Sequence, residues 1–182
     1  VQQRPAYGIR GMYAHPCWIY KHPFAVRTWK LPDWKRYIDL LAYRKVNLIQ
    51  IPVMASLVPL PAGAADREYL SLFREVADYA RDERGFRGVW FGDAANNVGL
   101  ANPNQKPIET REYFTSQILR NPADPEGMRE IVQSRQLMYE SAPNGDAYWV
   151  IDSDPGRWPD SLSSEFVRIL AENRKLMNRF VR

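Results

Sequence analysis

The sequence predicts a parallel α/β fold of repeated (β/α) units, best matched by the first half of a (β/α)8 TIM barrel spanning residues 1–182 as one domain. Three observations predict it. Short apolar runs at Tyr7–Ala14, Val46–Met54, Gly88–Asp93 and Ala147–Ile151 read as buried strands. Stretches with apolar residues at helical spacing separate and follow them, giving the order β-α-β-α-β-α-β-α. Polar and aromatic residues collect after the strands' C-terminal ends, where barrels of this type keep their chemistry. A doubly wound sheet has the same element order and stays open as the other architecture. Neither GxGxxG nor GxxxxGK[ST] follows any strand, which weakens a nucleotide-binding version.

The first strand, Tyr7–Ala14, carries Arg10-Gly11 inside it. Residues 15–30 hold both histidines, two prolines and several aromatics, a composition poor for regular structure. A helix is expected over Pro32–Arg44, with Pro32 in the first turn, Asp33 beside it, and a stripe of Trp34, Ile38, Leu41 and Ala42. Val46–Met54 follows as the second strand, with Pro52 marking its end or a kink. Asp66 is expected to cap a second helix on Tyr69, Phe73, Val76, Ala77 and Ala80, ended by Gly85. After the third strand comes an Asn/Pro-rich loop, Ala94 to about Pro107, and a short helix near 109–118. Asp124-Pro125 opens the next main helix as cap and first-turn proline. Its stripe is Met128, Ile131, Val132 and Met138. Ser163 or Ser164 caps the last helix, on Phe166, Ile169, Leu170, Asn173, Met177 and Phe180.

Bulk composition narrows the function. A hydrophobic content of 45% is ample for a core, which argues against disorder. Net charge is +4, with Lys and Arg interleaved among Asp and Glu, so no nucleic-acid footprint is seen. No run of about 20 apolar residues is present to span a membrane, and no signal peptide is recognised. Cys17 is the only cysteine, so it makes no internal disulfide and no zinc-type spacing. It also lacks the base and orienting group a thiol nucleophile needs. The start at Val1 suggests a processed chain or a piece of a longer one. Four units leave two open sheet edges. The expectation is therefore a missing C-terminal half or pairing as a homo-oligomer.

The strongest chemical signal is Asp152-Ser153-Asp154, directly after the fourth strand. In extended chain, residues two apart share a face, so both carboxylates point the same way. Glycosidic cleavage needs a proton donor and a second group to stabilise or attack the sugar carbon, and such a pair suits it. The other reading is a capped turn, with Asp154 accepting amides around Pro155-Gly156.

The first 50 residues resemble the opening of the catalytic barrel in the family 20 β-N-acetylhexosaminidases. The matching residues are Arg10-Gly11, the run Ile38-Asp39-Leu40-Leu41-Ala42-Tyr43-Arg44-Lys45-Val46-Asn47, and the strand Leu48 to Ile51. Family 84 barrels and the family 67 α-glucuronidases share the general pattern. The resemblance implies a glycosidase without a cofactor, acting on a carbohydrate such as an N-acetylhexosamine or uronic-acid glycan. It implies that Arg10 binds sugar hydroxyls and that the acids lie at the end of strand four. Family 20 has an adjacent Asp-Glu there and family 84 an adjacent Asp-Asp. The separated pair here carries over the location but not the individual roles.

Further candidates are His15, Trp18, Asp93, Asn96, Asn97 and Trp158, all within or just after strand ends. Trp18 and Trp158 suit sugar stacking, whereas Trp90 and Trp149, inside strands, are expected in the core. Asn96-Asn97 either bind hydroxyls or form a turn. Arg10 either clamps a sugar or pairs internally with Asp152 or Asp39. No residues stand at metal-ligand spacing, but a metal-dependent barrel hydrolase or isomerase using His15, Asp93 and Asp152 is a third alternative. The second is a non-catalytic carbohydrate-binding or scaffold barrel piece.

Overall fold

In the computed structural model, the described residues are 5–14, 28–53, 55, 58–94, 120–151 and 163–181. Among them, four parallel strands alternate with four helices: β1 (Gly11–Tyr13), α1 (Leu31–Tyr43), β2 (Leu48–Pro52), α2 (Ala64–Asp78), β3 (Gly88–Ala94), α3 (Pro125–Ser141), β4 (Ala147–Ile151) and α4 (Ser163–Phe180). The sheet runs β1-β2-β3-β4, in chain order. Every neighbouring pair is parallel, with Gly11 opposite Leu48, Leu48 opposite Gly88, and Trp90 opposite Ala147. The order never reverses, so the described sheet lacks the switch point of a doubly wound sheet. Each helix packs on the next in sequence, as right-handed crossovers from an unreversed sheet require.

The helix starts follow local chemistry. Asp33 accepts the Lys30 amide and Asp66 accepts the Gly63 amide, each at 3.1 Å. Both acids thus sit in the first turn, where backbone donors lack partners. Asp66 was expected as the cap itself; the cap falls three residues earlier, at Gly63, and the Asp66 carboxylate reaches back to its amide. Asp124 does cap α3, accepting the Glu126 amide, and Pro125 occupies the first turn.

The ends are equally specific. The ladder of α2 widens into a π-turn over Tyr79–Glu83. Gly85 then stops it with φ of 65°, while the Phe86 amide reaches the Ala80 carbonyl at 2.9 Å. At the end of α1 the left-handed position falls on Lys45, with φ of 63°. A side chain there costs about 1 kcal/mol.

Strand alternation divides the sheet into two faces. Ile49, Ile51, Val89 and Phe91 point to the helices and form the main core with Trp34, Ile38, Phe73, Val76 and Tyr139. Phe91 sits between Phe73 of α2 and Tyr148 of β4, with ring centroids 6.1 and 6.0 Å away. A second cluster, Met128, Ile131 and Ile169, joins α3 to α4. Leu170, expected in the α4 stripe, stands in solvent instead, and Leu176 is buried.

The opposite, inner face carries Tyr13, Gln50, Trp90, Gly92 and Trp149. Glycine is required at position 92, because a Cβ there would lie 2.1 Å from the Trp149 indole. Trp149 therefore lies across β3 and meets Tyr13 of β1 at 6.1 Å. Those two residues belong to the first and last strands. Flat sheet would hold strands three spacings apart at about 14 Å. Their contact marks an inner face on which side chains converge.

Candidate functional site

The C-terminal ends of β2, β3 and β4 lie level. Ala94 stands opposite Ile151, Asp93 opposite Val150, and the Val53 amide bonds the Gly92 carbonyl at 2.7 Å. Asp152 follows Ile151 in the chain, so the Asp152-Ser153-Asp154 segment departs from this end. Asp152, Asp154, His15, Trp18, Asn96, Asn97 and Trp158 lie outside the described residues, as do His22, Cys17 and the short helix expected near 109–118. Arg10 and Asp93 are described.

Asp93 has 0% of its side chain exposed. It points to the helix layer, where Arg135 of α3 meets it with Nη1 2.6 Å from Oδ2 and is itself only 1% exposed. None of the three guanidinium nitrogens has hydrogen-bond geometry to a partner among the described residues, so the contact is one of charge. Two further buried polar side chains, Arg120 and Tyr139, lie within reach of the charges of this pair. Arg120, just ahead of α3, bonds Glu130 at 3.1 Å and the Val58 carbonyl at 3.0 Å. Burial pulls the Arg120 pKa down, opposed by the bond to Glu130 and by the charges of Glu130 and Asp93. Tyr139, one turn beyond Arg135, donates to Asn173 Oδ1 of α4 at 3.1 Å. Burial pushes its phenol up to about 12.

This geometry corrects the expectation for Asp93 as a substrate contact. A sealed carboxylate held by a guanidinium neither meets a sugar hydroxyl nor ligates a cation. It anchors α3 to the end of β3. The metal-dependent alternative thereby loses one of its three proposed ligands, and no group of three metal-ligating side chains occurs among the described residues.

Arg10 is corrected as well. It stands ahead of β1, level with Asn47 and Arg87, at the N-terminal end of the sheet. Its Nε donates to the Lys45 carbonyl and its Nη1 to the Tyr7 carbonyl. Six residue rises along β3 separate this level from Asp93, about 20 Å of extended chain. Arg10 therefore cannot serve a sugar subsite at the other end. Asn47 completes the same fastening, accepting the Arg10 amide and donating to the Gly8 carbonyl, each at 2.9 Å. The internal partner considered for Arg10, Asp39, pairs instead with Arg84 and accepts the Tyr79 hydroxyl at 2.7 Å.

The aromatic residues are divided differently from expectation. Trp90 and Trp149 are not core residues of the helix layer but lie half-buried on the inner face. Tyr13 and Trp149 meet there with their rings tilted by 46°, apolar faces with polar edges of the kind that suits a sugar ring. The Trp149 indole N–H is enclosed and has no partner among the described residues. Arg135 and Arg120 were missed in the sequence. A signal for Arg135 existed: Met128, Ile131, Arg135 and Met138 fall on one face of α3, and all four are buried. An arginine on a buried face demands a partner.

No helix among the described residues is long and apolar enough to cross a membrane. The chain matches no protein-family model, no curated protein and no solved structure.

Proposed function

We propose that the chain is the first half of a (β/α)8-type barrel that hydrolyses a glycosidic bond, with Asp152 and Asp154 as the carboxylate pair. The supporting observation is the unreversed parallel order β1-β2-β3-β4 with an aromatic inner face. In that arrangement the segment after β4 brings its acids in at the end where barrel enzymes place their chemistry. Tyr13 and Trp149 supply the stacking surface beneath. One acid protonates the leaving oxygen and the other stabilises or attacks the sugar carbon. With an N-acetylhexosamine substrate the acetamido group itself acts as nucleophile, as the family 20 resemblance implies; a uronic-acid glycan is the other substrate class. The test is turnover of aryl glycosides of both classes. Asp152→Asn and Asp154→Asn should each lower the rate at least ~10²-fold. Unchanged rates in both variants would end the proposal.

One observation favours a second reading. The sealing of Asp93 removes an acid from the mouth, while the aromatic lining needs no acid to hold a sugar. A non-catalytic carbohydrate-binding barrel piece would show sugar-dependent quenching of tryptophan fluorescence with no turnover of any glycoside.

A further inference from the structure

We infer that Asn144-Gly145, in the turn between α3 and β4, is a self-modification site. It is locked while that turn is fastened to α2, it deamidates when the fastening opens, and its product keeps the fastening open. The inference stands apart from the glycosidase reading.

Both residues are set by their surroundings. A Cβ at position 145 would stand 2.8 Å from the Phe91 ring and 3.0 Å from the Tyr148 ring, so the close approach asks for glycine. Asn144 Nδ2 donates to the Arg74 carbonyl at 3.0 Å and to Asp78 Oδ1 at 2.7 Å, which fastens the turn to α2. Arg81 adds a further tie, donating to the Asn144 carbonyl at 2.7 Å. These demands together place asparagine before glycine, the one Asn-Gly step in the chain. With no Cβ in the way, the glycine nitrogen is the least hindered to attack the preceding side-chain amide.

The reaction needs only water. The Gly145 nitrogen bonds to Asn144 Cγ and gives its proton to solvent, the Cγ–Nδ2 bond breaks, and ammonia leaves with a proton taken from water. Water then opens the cyclic imide at either carbonyl, leaving aspartate or isoaspartate.

The fold holds every part of this step back. The Gly145 N–H is engaged, donating to the Tyr148 hydroxyl at 3.0 Å, and that hydroxyl donates to the Ala142 carbonyl at 2.5 Å. Burial pushes the Tyr148 phenol up to about 12, so it stays neutral and is a poor base toward the amide. Turning the Asn144 side chain toward Gly145 would break both Nδ2 bonds. Asn144 Oδ1 is enclosed, so an oxyanion forming there is kept from water. Local opening of the turn lifts these restraints at once. Once the amide is gone, a carboxylate at position 144 meets Asp78 and the Arg74 carbonyl where a donor stood, and like charges repel. A brief opening is thereby made permanent.

The experiment holds the whole chain in mildly alkaline buffer, folded and in unfolding urea, and follows each asparagine by peptide mass mapping. Unfolded chain should lose the Asn144 amide faster than any other, and folded chain should lose it at least ~10-fold more slowly. Tyr148→Phe leaves the Asn-Gly step untouched; it should speed the loss several-fold in folded chain and not in unfolded chain. Asn144→Asp, with the charge of the product, should unfold at lower urea than the parent. Asn144→Ala, which loses the donor without adding a charge, should fall less. Equal rates in folded and unfolded chain, slower loss at Asn144 than at other asparagines in urea, or Asn144→Asp as stable as the parent would overturn the inference. If Tyr148→Phe does not fold, the comparison of folded with unfolded parent decides alone.

Discussion

Replacing Arg135 with Met should unfold the protein more readily than any surface substitution. The change leaves the Asp93 carboxylate at 0% exposure with its cation gone. Breaking a buried pair from one side typically costs about 3–5 kcal/mol, because the surviving charge is kept from water and loses its salt-bridge cation. That is a large share of the roughly 5–15 kcal/mol by which domains of this size are stable. The reciprocal change, Asp93→Leu, strands the guanidinium, whose nitrogens already lack hydrogen-bond geometry to described groups, and should cost a similar amount. The double variant Asp93→Leu with Arg135→Met removes both charges and fills the space with apolar atoms. It should recover most of the loss or exceed the parent. Urea denaturation of the four proteins gives the coupling energy, expected at 2 kcal/mol or more in order of magnitude. The coupling should barely change between low and high salt, since a sealed pair is weakly screened. Single variants within about 0.5 kcal/mol of the parent would refute the reasoning, for the pair would then not be buried in solution.

Three more outcomes follow from particular residues. Lys45→Gly should raise stability by about 0.5–1 kcal/mol in the same denaturation assay, because glycine adopts the left-handed conformation without the side-chain penalty. Gly92→Ala should cost about 1–3 kcal/mol and shift tryptophan emission, since the new Cβ would overlap the Trp149 indole; the added Trp149→Ala change should relieve most of that cost. Tyr139 and Tyr148 are both raised by burial to about 12 from 10.0. Their protonated forms are favoured in the folded state, so the stability they contribute is complete below pH 10 and is lost as pH rises toward 12, on the order of 2 kcal/mol each. Stability measured against pH should fall over that window, and Tyr139→Phe should flatten the fall.

Much of the helix layer was legible because its signals are local. Trp34, Ile38 and Leu41 repeat at helical spacing and are buried together. Gly85 and the Asp124-Pro125 pair each act within one turn of their own position. The strand order and the function of single polar residues were less legible, because their partners lie far away in sequence. Asp93 and Arg135 are 42 positions apart, and nothing near Asp93 reveals that a helix will close over it. Arg10 sits in an apolar run, so it read as strand; β1 begins only at Gly11 because Tyr7, Gly8 and Lys45 offer their carbonyls to the guanidinium instead of to a ladder. Trp149 has strand neighbours that suggest a packed interior, yet its face is set by register, with Tyr148 rather than Trp149 opposite Phe91.

The contact between Tyr13 and Trp149 ties the outermost strands to one another across the two between them. A strand at the margin of a sheet ordinarily frays by itself, since only one flank is held. Here β1 cannot swing outward without lifting the indole from Gly92 and so loosening β4 at the same moment. Amide exchange at the two margins should accordingly rise in step as denaturant is added, ahead of β2 and β3, so that the sheet opens from both sides as one event.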